Sequence, residues 1–436
     1  MRARWIALIL ALIHVAFATV YAWITPFHTP GMNESFFMND IGAPDEMAHS
    51  AYIEEIAKGH GLPVLTFRKD MPTYEAHQPP LYYAASAVWS KALGIQDFEQ
   101  QRSGFLIRLL NVLAGGAAIA GICAFAFWGY QRKDIMLFAG IFSALLPMNL
   151  ASSGSISNDP FLFAFGAWVL AFCVKVARDG WTWPIATVIG LITGLALLTK
   201  TSSVIFCIPI LLAAFYARPR PRLLMVVGCS MLALIIVLPL WIRNYQIYHD
   251  PLMTHMFNKL SIGQQKDGIL YAHSLRNVAR VLAVWTQFAT TSFIGLFGYM
   301  CIRLPLAIYL IGLSLIGIMG LGWAKWLSTE EQKSYRVSNR IAGWFFVGAF
   351  FAFLSFSFTY MQPQARYLFY ALGPLVVGLG FGLKYLTKER FSRAIQLLLI
   401  GLLITNVFAF TTLKSSFDRM KQDLVDAGGA IHFRDK

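Results

Sequence analysis

The chain is poor in charge. Only 13% of its 436 residues are Asp, Glu, Lys or Arg, and no more than 22 are acidic. An ordinary soluble domain carries about 25% charged residues, so this chain cannot be covered with water-facing side chains. Cysteine is equally uninformative as a framework. Of the five, Cys123, Cys173, Cys207 and Cys229 lie inside apolar runs and Cys301 outside them, with no C-x-x-C and no histidine at ligand spacing. That excludes a disulfide scaffold and a thiolate metal site. There is no P-loop, no G-x-S-x-G, no H-E-x-x-H and no dinucleotide fingerprint, so energy for a reaction arrives with the substrate or from a gradient. No fixed-period repeat or low-complexity tract is present either.

What is there is apolar: 57% hydrophobic residues, including 35 Phe, 17 Tyr and 12 Trp, and a mean hydropathy of +0.57. Runs of roughly 17 to 25 apolar residues are the signature of membrane-spanning helices. They fall near 5–25, 105–129, 135–152, 160–177, 183–199, 203–217, 223–242, 303–323, 341–360, 367–386 and 394–412. The expected fold class is therefore an all-α integral membrane protein with about eleven transmembrane helices. The first run follows Arg2 and Arg4 like a signal peptide, but Ile6 to Ile24 is long enough to span and reads as an uncleaved first helix.

The net charge of +14 comes from 36 basic residues gathered in short turns between runs. Arg2/Arg4, Arg132/Lys133, Lys175/Arg178, Arg218/Arg220/Arg222, Lys325/Lys333/Arg336/Arg340 and Lys384/Lys388/Arg390/Arg393 fall on one side if every run crosses. By the positive-inside rule that side, with the N-terminus, is cytoplasmic, and the excess needs no nucleic-acid partner. The expected divisions are a first helix over 1–25, a large periplasmic loop with short helices over 26–104, helices two to seven over 105–242, a second loop with an interfacial helix over 243–302, helices eight to eleven over 303–412, and a short periplasmic tail over 413–436.

Loop 26–104 holds Glu34, Asp40, Asp45, Glu46, Glu54, Glu55, Asp70, Glu75, Asp97 and Glu99, close to half of the 22 acidic residues. Within it, Pro44-Asp45-Glu46-Met47-Ala48-His49 reads as a loop helix opened by proline, with acids in its first turn and His49 on the face of Asp45. An acidic pair with histidine at i+4 is also the arrangement of a general base and its orienting partner. Downstream, Glu75 and His77 precede Pro79-Pro80, close enough in the loop to share a site with Asp45. Asn158-Asp159-Pro160 has the form of a helix cap, and a place among the pocket residues. Lys200 sits at the outer tip of a hairpin against the charge bias, and Arg243 and Arg366 mark outer ends of spans. Together these three have the makings of a cationic pocket for a phosphate.

These residues resemble the GT-C membrane glycosyltransferases. The resemblance rests on Asp45-Glu46 with His49, the Glu75-to-Tyr82 segment (Glu-x-His-x-Pro-Pro-Leu-Tyr), the Gly194-to-Lys200 hairpin and the Arg243-Asn244-Tyr245 run. Within that superfamily they are nearest to the protein O-mannosyltransferase and aminoarabinose transferase type. Pro44-Asp45-Glu46, Phe293 to Gly298 and Gln364-Ala365-Arg366-Tyr367 also resemble a bacterial multi-pass family without assigned function.

The resemblance implies transfer of a sugar from a polyprenyl-phosphate donor to a lipid, polysaccharide or protein acceptor, on the periplasmic side of the bacterial inner membrane. It implies Asp45 as base toward the acceptor hydroxyl, with Glu46, His49 and Glu75 as further catalytic candidates. Lys200, Arg243, Arg366 and Tyr367 would hold the donor phosphate, and His77, Asn158 and Asp159 would line the pocket. A divalent cation is used in some branches and not in others. The competing reading, a transporter or flippase of a lipid-linked glycan, calls for ionisable groups near the bilayer midplane.

Overall fold

A computed structural model describes residues 2–33, 36–38, 40–66, 74–217, 223–261 and 274–428. Glu34, Asp70 and the Arg218/Arg220/Arg222 group lie outside the described residues. In chain order the helices are α1 (Ala3–Ile24), α2 (Glu46–Ala57), α3 (Leu81–Ala92), α4 (Gln101–Tyr130), α5 (Lys133–Leu145), α6 (Pro147–Ser153), α7 (Asp159–Asp179) and α8 (Trp183–Leu197). They continue as α9 (Cys207–Tyr216), α10 (Leu223–Tyr248), α11 (Thr254–Leu260), α12 (Leu275–Ile294), α13 (Leu306–Trp326), α14 (Arg336–Tyr360), α15 (Leu372–Thr387) and α16 (Phe391–Asp426). Two antiparallel hairpins, Gly31–Asn33 with Phe36–Met38 and Leu296–Phe297 with Ile302–Arg303, are the strands among the described residues.

A helix lies over each of the eleven apolar runs, but fewer meet the length and hydropathy of a span. Among the described residues seven helical runs do, or eight if the bent pair α5 and α6 counts as one. The segments Trp183–Leu197 and Thr201–Tyr216 are shorter apolar helices, and Ala365–Asp426 counts as a single run although Lys388 leaves the helical region within it. An apolar window records hydrophobicity without recording where the helix stops, which is why the sequence suggests more crossings. The chain is an integral membrane protein. Its last helix continues to Asp426, through most of the segment read from sequence as a tail.

The bend between α5 and α6 is 62° and has a local cause. Pro147 has no N–H for the Ser143 carbonyl and pushes Leu146 into an extended conformation (φ −65°, ψ 117°). Three carbonyls freed there accept from side chains instead: Ser143 from Asn149 Nδ2 at 2.8 Å, Ala144 from His14 Nδ1 at 3.0 Å, and Leu145 from Asn406 Nδ2 at 2.9 Å. His14 Nε2 then accepts from the Ser153 hydroxyl at 3.0 Å. The histidine inside α1 is thus a cap for a broken neighbour.

The first loop is a folded layer. Its helices α2 and α3 pack through Tyr52, Tyr82 and Tyr83 against Ile107 of α4 and Ile156, in a cluster of its own. In the second loop, Ser274 caps α12 by accepting from the Asn277 N–H at 3.2 Å, and the helix ends at the 296–303 hairpin.

Candidate active site

Loop 1, the start of α7, the turn after α8 and the 3-10 segment Ala365–Ala371 enclose a cavity of about 380 Å³. Asp45, His49, Glu75, Asp159, Lys200 and Arg366 all line it. These residues are up to 321 positions apart (366 − 45) and only packing unites them.

Asp45 is the residue before α2 and adopts a left-handed conformation, φ 65° and ψ 3°. Asp tolerates that region better than most residues, though it still costs about 1 kcal/mol. Its side chain makes no cap bond, so the carboxylate faces the cavity. Burial raises its pKa, helped by the Asp159 carboxylate and opposed by the Arg366 and Lys200 charges. Glu75 is buried and its Oε2 has no hydrogen-bond partner among the described residues. Burial first, and then the Asp45 carboxylate, raise its pKa as well. His49 Nδ1 lies 2.8 Å from the Tyr83 hydroxyl and 4.0 Å from Glu75 Oε2. Burial pushes this imidazole down to about 3, so it is neutral.

In the same cavity Lys200 Nζ donates to Asp159 Oδ1 at 2.6 Å, and Arg366 Nε lies 3.7 Å from Asp159 Oδ2, with no hydrogen bond to Nε among the described residues. Both cations stand 5.4 Å from the ring centroid of Tyr367. Three carboxylates therefore face two fixed cations. The raised pKa values of Asp45 and Glu75 mean that this pair readily retains a proton, and the pocket is electrically near balance before any ligand enters.

Two candidates stand elsewhere. Glu46 does not line the cavity. Asp45 stands before the helix in the left-handed region and faces the cavity, whereas Glu46, the first helical residue, is buried in the protein. There it meets Arg108 of α4, both fully buried: Nε to Oε1 is 2.9 Å and Nη2 to Oε2 is 2.5 Å. Arg108 also donates to the carbonyls of Ala22 (2.9 Å), Thr25 (2.7 Å) and Pro26 (2.9 Å), while Glu46 Oε1 accepts from the Ile156 N–H at 2.6 Å. One ion pair thus fastens the end of α1, the residue next to Asp45 and the turn leading to Asp159. Arg243 is the second. It donates to the carbonyls of Leu62 (3.1 Å) and Pro63 (3.3 Å) and holds loop 1 from outside the cavity.

His77 and Asn158 do line the cavity, linked through Gln78. Asn158 makes no cap bond despite its position before α7. Arg108, Asn111 and Gln78 are absent from the sequence reading. Arg108 had a legible signal, an arginine a few residues into an apolar run. Asn111, one turn on, holds the Ser155 and Ser157 carbonyls at 2.5 and 2.9 Å and had none. A second cavity of about 460 Å³, mostly apolar, adjoins the first between α8, α9 and α10 and shares His77, Thr201, Leu252 and Met253 with it.

Among the described residues no group of three or more His, Cys, Asp or Glu is placed to hold a metal ion. Asp159 is engaged by Lys200.

The helical arrangement is that of the GT-C glycosyltransferases. The structure of ArnT from Cupriavidus metallidurans bound to undecaprenyl phosphate superimposes with a TM-score of 0.56 at 14% identity, covering 98% of this chain and 78% of that one. The oligosaccharyltransferase of Archaeoglobus fulgidus, in complex with zinc and sulfate, also gives 0.56 at 14% identity, covering 94% of this chain and 53% of its own, so the present chain spans about half its length. No protein-family model and no curated protein matches the sequence.

Proposed function

We propose that the protein is a glycosyltransferase that moves a sugar from a polyprenyl-phosphate donor to a hydroxyl of a cell-envelope acceptor at the outer face of the bacterial inner membrane. The observation that carries this reading is one cavity lined by both the Asp45 and Glu75 carboxylates and the two fixed cations Lys200 and Arg366. Asp45 removes the acceptor proton as the hydroxyl oxygen bonds to the anomeric carbon. The bond from that carbon to the phosphate oxygen breaks, and the polyprenyl phosphate leaves with the electron pair. Lys200 and Arg366 meet the charge it gains, with Tyr367 between them. Glu75 holds the neighbouring proton and His49 packs beside it as a neutral group. Similarity in fold to a protein crystallised with undecaprenyl phosphate supports the donor class.

The transporter reading needs ionisable groups free to move charge across the midplane. The buried His14 and Arg108 are instead engaged by backbone carbonyls and fixed partners. Mass spectrometry of envelope glycans tests the proposal. A strain carrying Asp45→Asn, with normal protein level and insertion, loses the glycan that a deletion strain loses. Unchanged glycans in that strain would overturn the assignment.

A further inference from the structure

His77, Gln78 and Asn158 form a chain of hydrogen bonds whose every proton is fixed by one backbone carbonyl. The Tyr74 carbonyl only accepts, so His77 Nδ1, 3.1 Å away, carries the hydrogen. Nε2 of the neutral ring is then an acceptor and takes an N–H of Gln78 at 3.0 Å. This orients the amide, so Gln78 Oε1 accepts from Asn158 Nδ2 at 3.1 Å, and Asn158 Nδ2 also donates to the Thr199 carbonyl at 3.1 Å. A second proton on His77 would set donor against donor. Both amides would have to flip, bringing Asn158 Oδ1 against the Thr199 carbonyl. Burial acts in the same direction, and the imidazole pKa falls to about 4.

Two groups remain over. The second N–H of Gln78 and the Oδ1 of Asn158 have no hydrogen bond among the described residues. Asn158 has helical rather than extended backbone angles (φ −77°, ψ −5°) and makes no cap bond, and Pro160 in the first turn offers no N–H. Both residues line the cavity that holds Asp45 and Lys200. A spare donor and a spare acceptor on neutral side chains are the complement of a hydroxyl, which does both. The His77 ring packs on Phe257, 4.9 Å between centroids, and Phe356 and Tyr360 continue an aromatic wall suited to the C–H face of a pyranose.

We infer that Gln78 and Asn158 form the sugar-recognition subsite of this cavity and select donors by an uncharged ring hydroxyl. The inference rests on the glycosyl-transfer reading above, and the test separates the two. Purified full-length protein in nanodiscs is given undecaprenyl-phosphate glucose, galactose and mannose, and bare undecaprenyl phosphate, with an envelope extract of the deletion strain supplying the acceptor hydroxyl. Wild type separates the best from the worst sugar by at least about tenfold in kcat/KM, as loss of a site-paired hydroxyl requires. Gln78→Leu and Asn158→Leu bring that ratio within about threefold, through a higher KM for the preferred donor, as expected when a ground-state contact is removed. The Kd for bare undecaprenyl phosphate stays within about twofold, since the phosphate contacts are intact. Melting temperatures separate recognition from folding, and Gln78→Leu, which spares the Asn158–Thr199 bond, suffices if Asn158→Leu does not fold. Turnover with undiminished discrimination in the variants, or a wild type indifferent to the epimers, overturns the subsite. A wild type that binds no undecaprenyl phosphate and turns over no donor overturns the glycosyltransferase reading together with it.

Discussion

Arg108 offers the most exacting test of how this site is held. Replacing it by Met removes two bonds to Glu46 and three to the carbonyls of Ala22, Thr25 and Pro26. The carboxylate of Glu46, fully buried, is left facing no counter-charge. Breaking one partner of a buried pair costs about 3–5 kcal/mol, whereas replacing both by apolar groups is often close to neutral. Glu46→Leu in the Arg108→Met background is therefore expected to recover most of the stability lost by either single change, with a coupling of about 3 kcal/mol or more. Thermal unfolding of the four purified proteins, in detergent with protease resistance as a second probe, supplies the cycle. Transfer activity supplies the functional half: kcat falls in both single variants because Asp45 and the 155–159 turn lose a common anchor. An Arg108→Met protein with unchanged melting, or additive single effects, would refute the argument that this pair organises the site.

The remaining predictions concern charge and pH. Because burial raises the Asp45 pKa, activity is lost as pH falls through a value above the ordinary carboxylate range. Asp159→Asn removes a repelling carboxylate and moves this limb to lower pH, and Lys200→Met removes an attracting cation and moves it higher; a pH–rate profile of each checks the signs. Glu75→Gln retains most of the activity, since a protonated carboxyl and an amide are both neutral, whereas Glu75→Lys abolishes it in the same transfer assay. Arg243→Ala leaves the Kd for undecaprenyl phosphate within about twofold while Lys200→Met raises it at least about tenfold, measured by lipid binding in nanodiscs.

Hydrophobic runs made the membrane class legible, and the concentration of acids in one loop pointed to Asp45, His49 and Glu75. The sequence separates Lys200 and Arg366 from these by long stretches of chain. The same signal, a basic residue at an outer span end, singled out Arg243 as well. Nothing local separates the three; only the path of loop 1 decides that Arg243 meets the carbonyls of Leu62 and Pro63 outside the cavity. Glu46 was inseparable from Asp45 for the opposite reason, since the pair looks alike until the helix start turns one residue inward. Asn158 reads as a cap by position, yet its backbone is helical rather than extended, and its side chain bonds Gln78 and lines the cavity instead.

The bent helix has a mechanical consequence. α6 is seven residues long, so it is a lever of roughly 10 Å whose pivot is the Pro147 corner and whose far end leads into the turn bearing Asn158 and Asp159. A change of about 10° at the pivot would sweep that end by about 2 Å, ample to misplace a reacting group. The pivot is pinned by His14 from the first helix and Asn406 from the last. Damage to either pin would be felt in the chemistry of a cavity that neither residue lines, which makes the two ends of the polypeptide silent guardians of its middle.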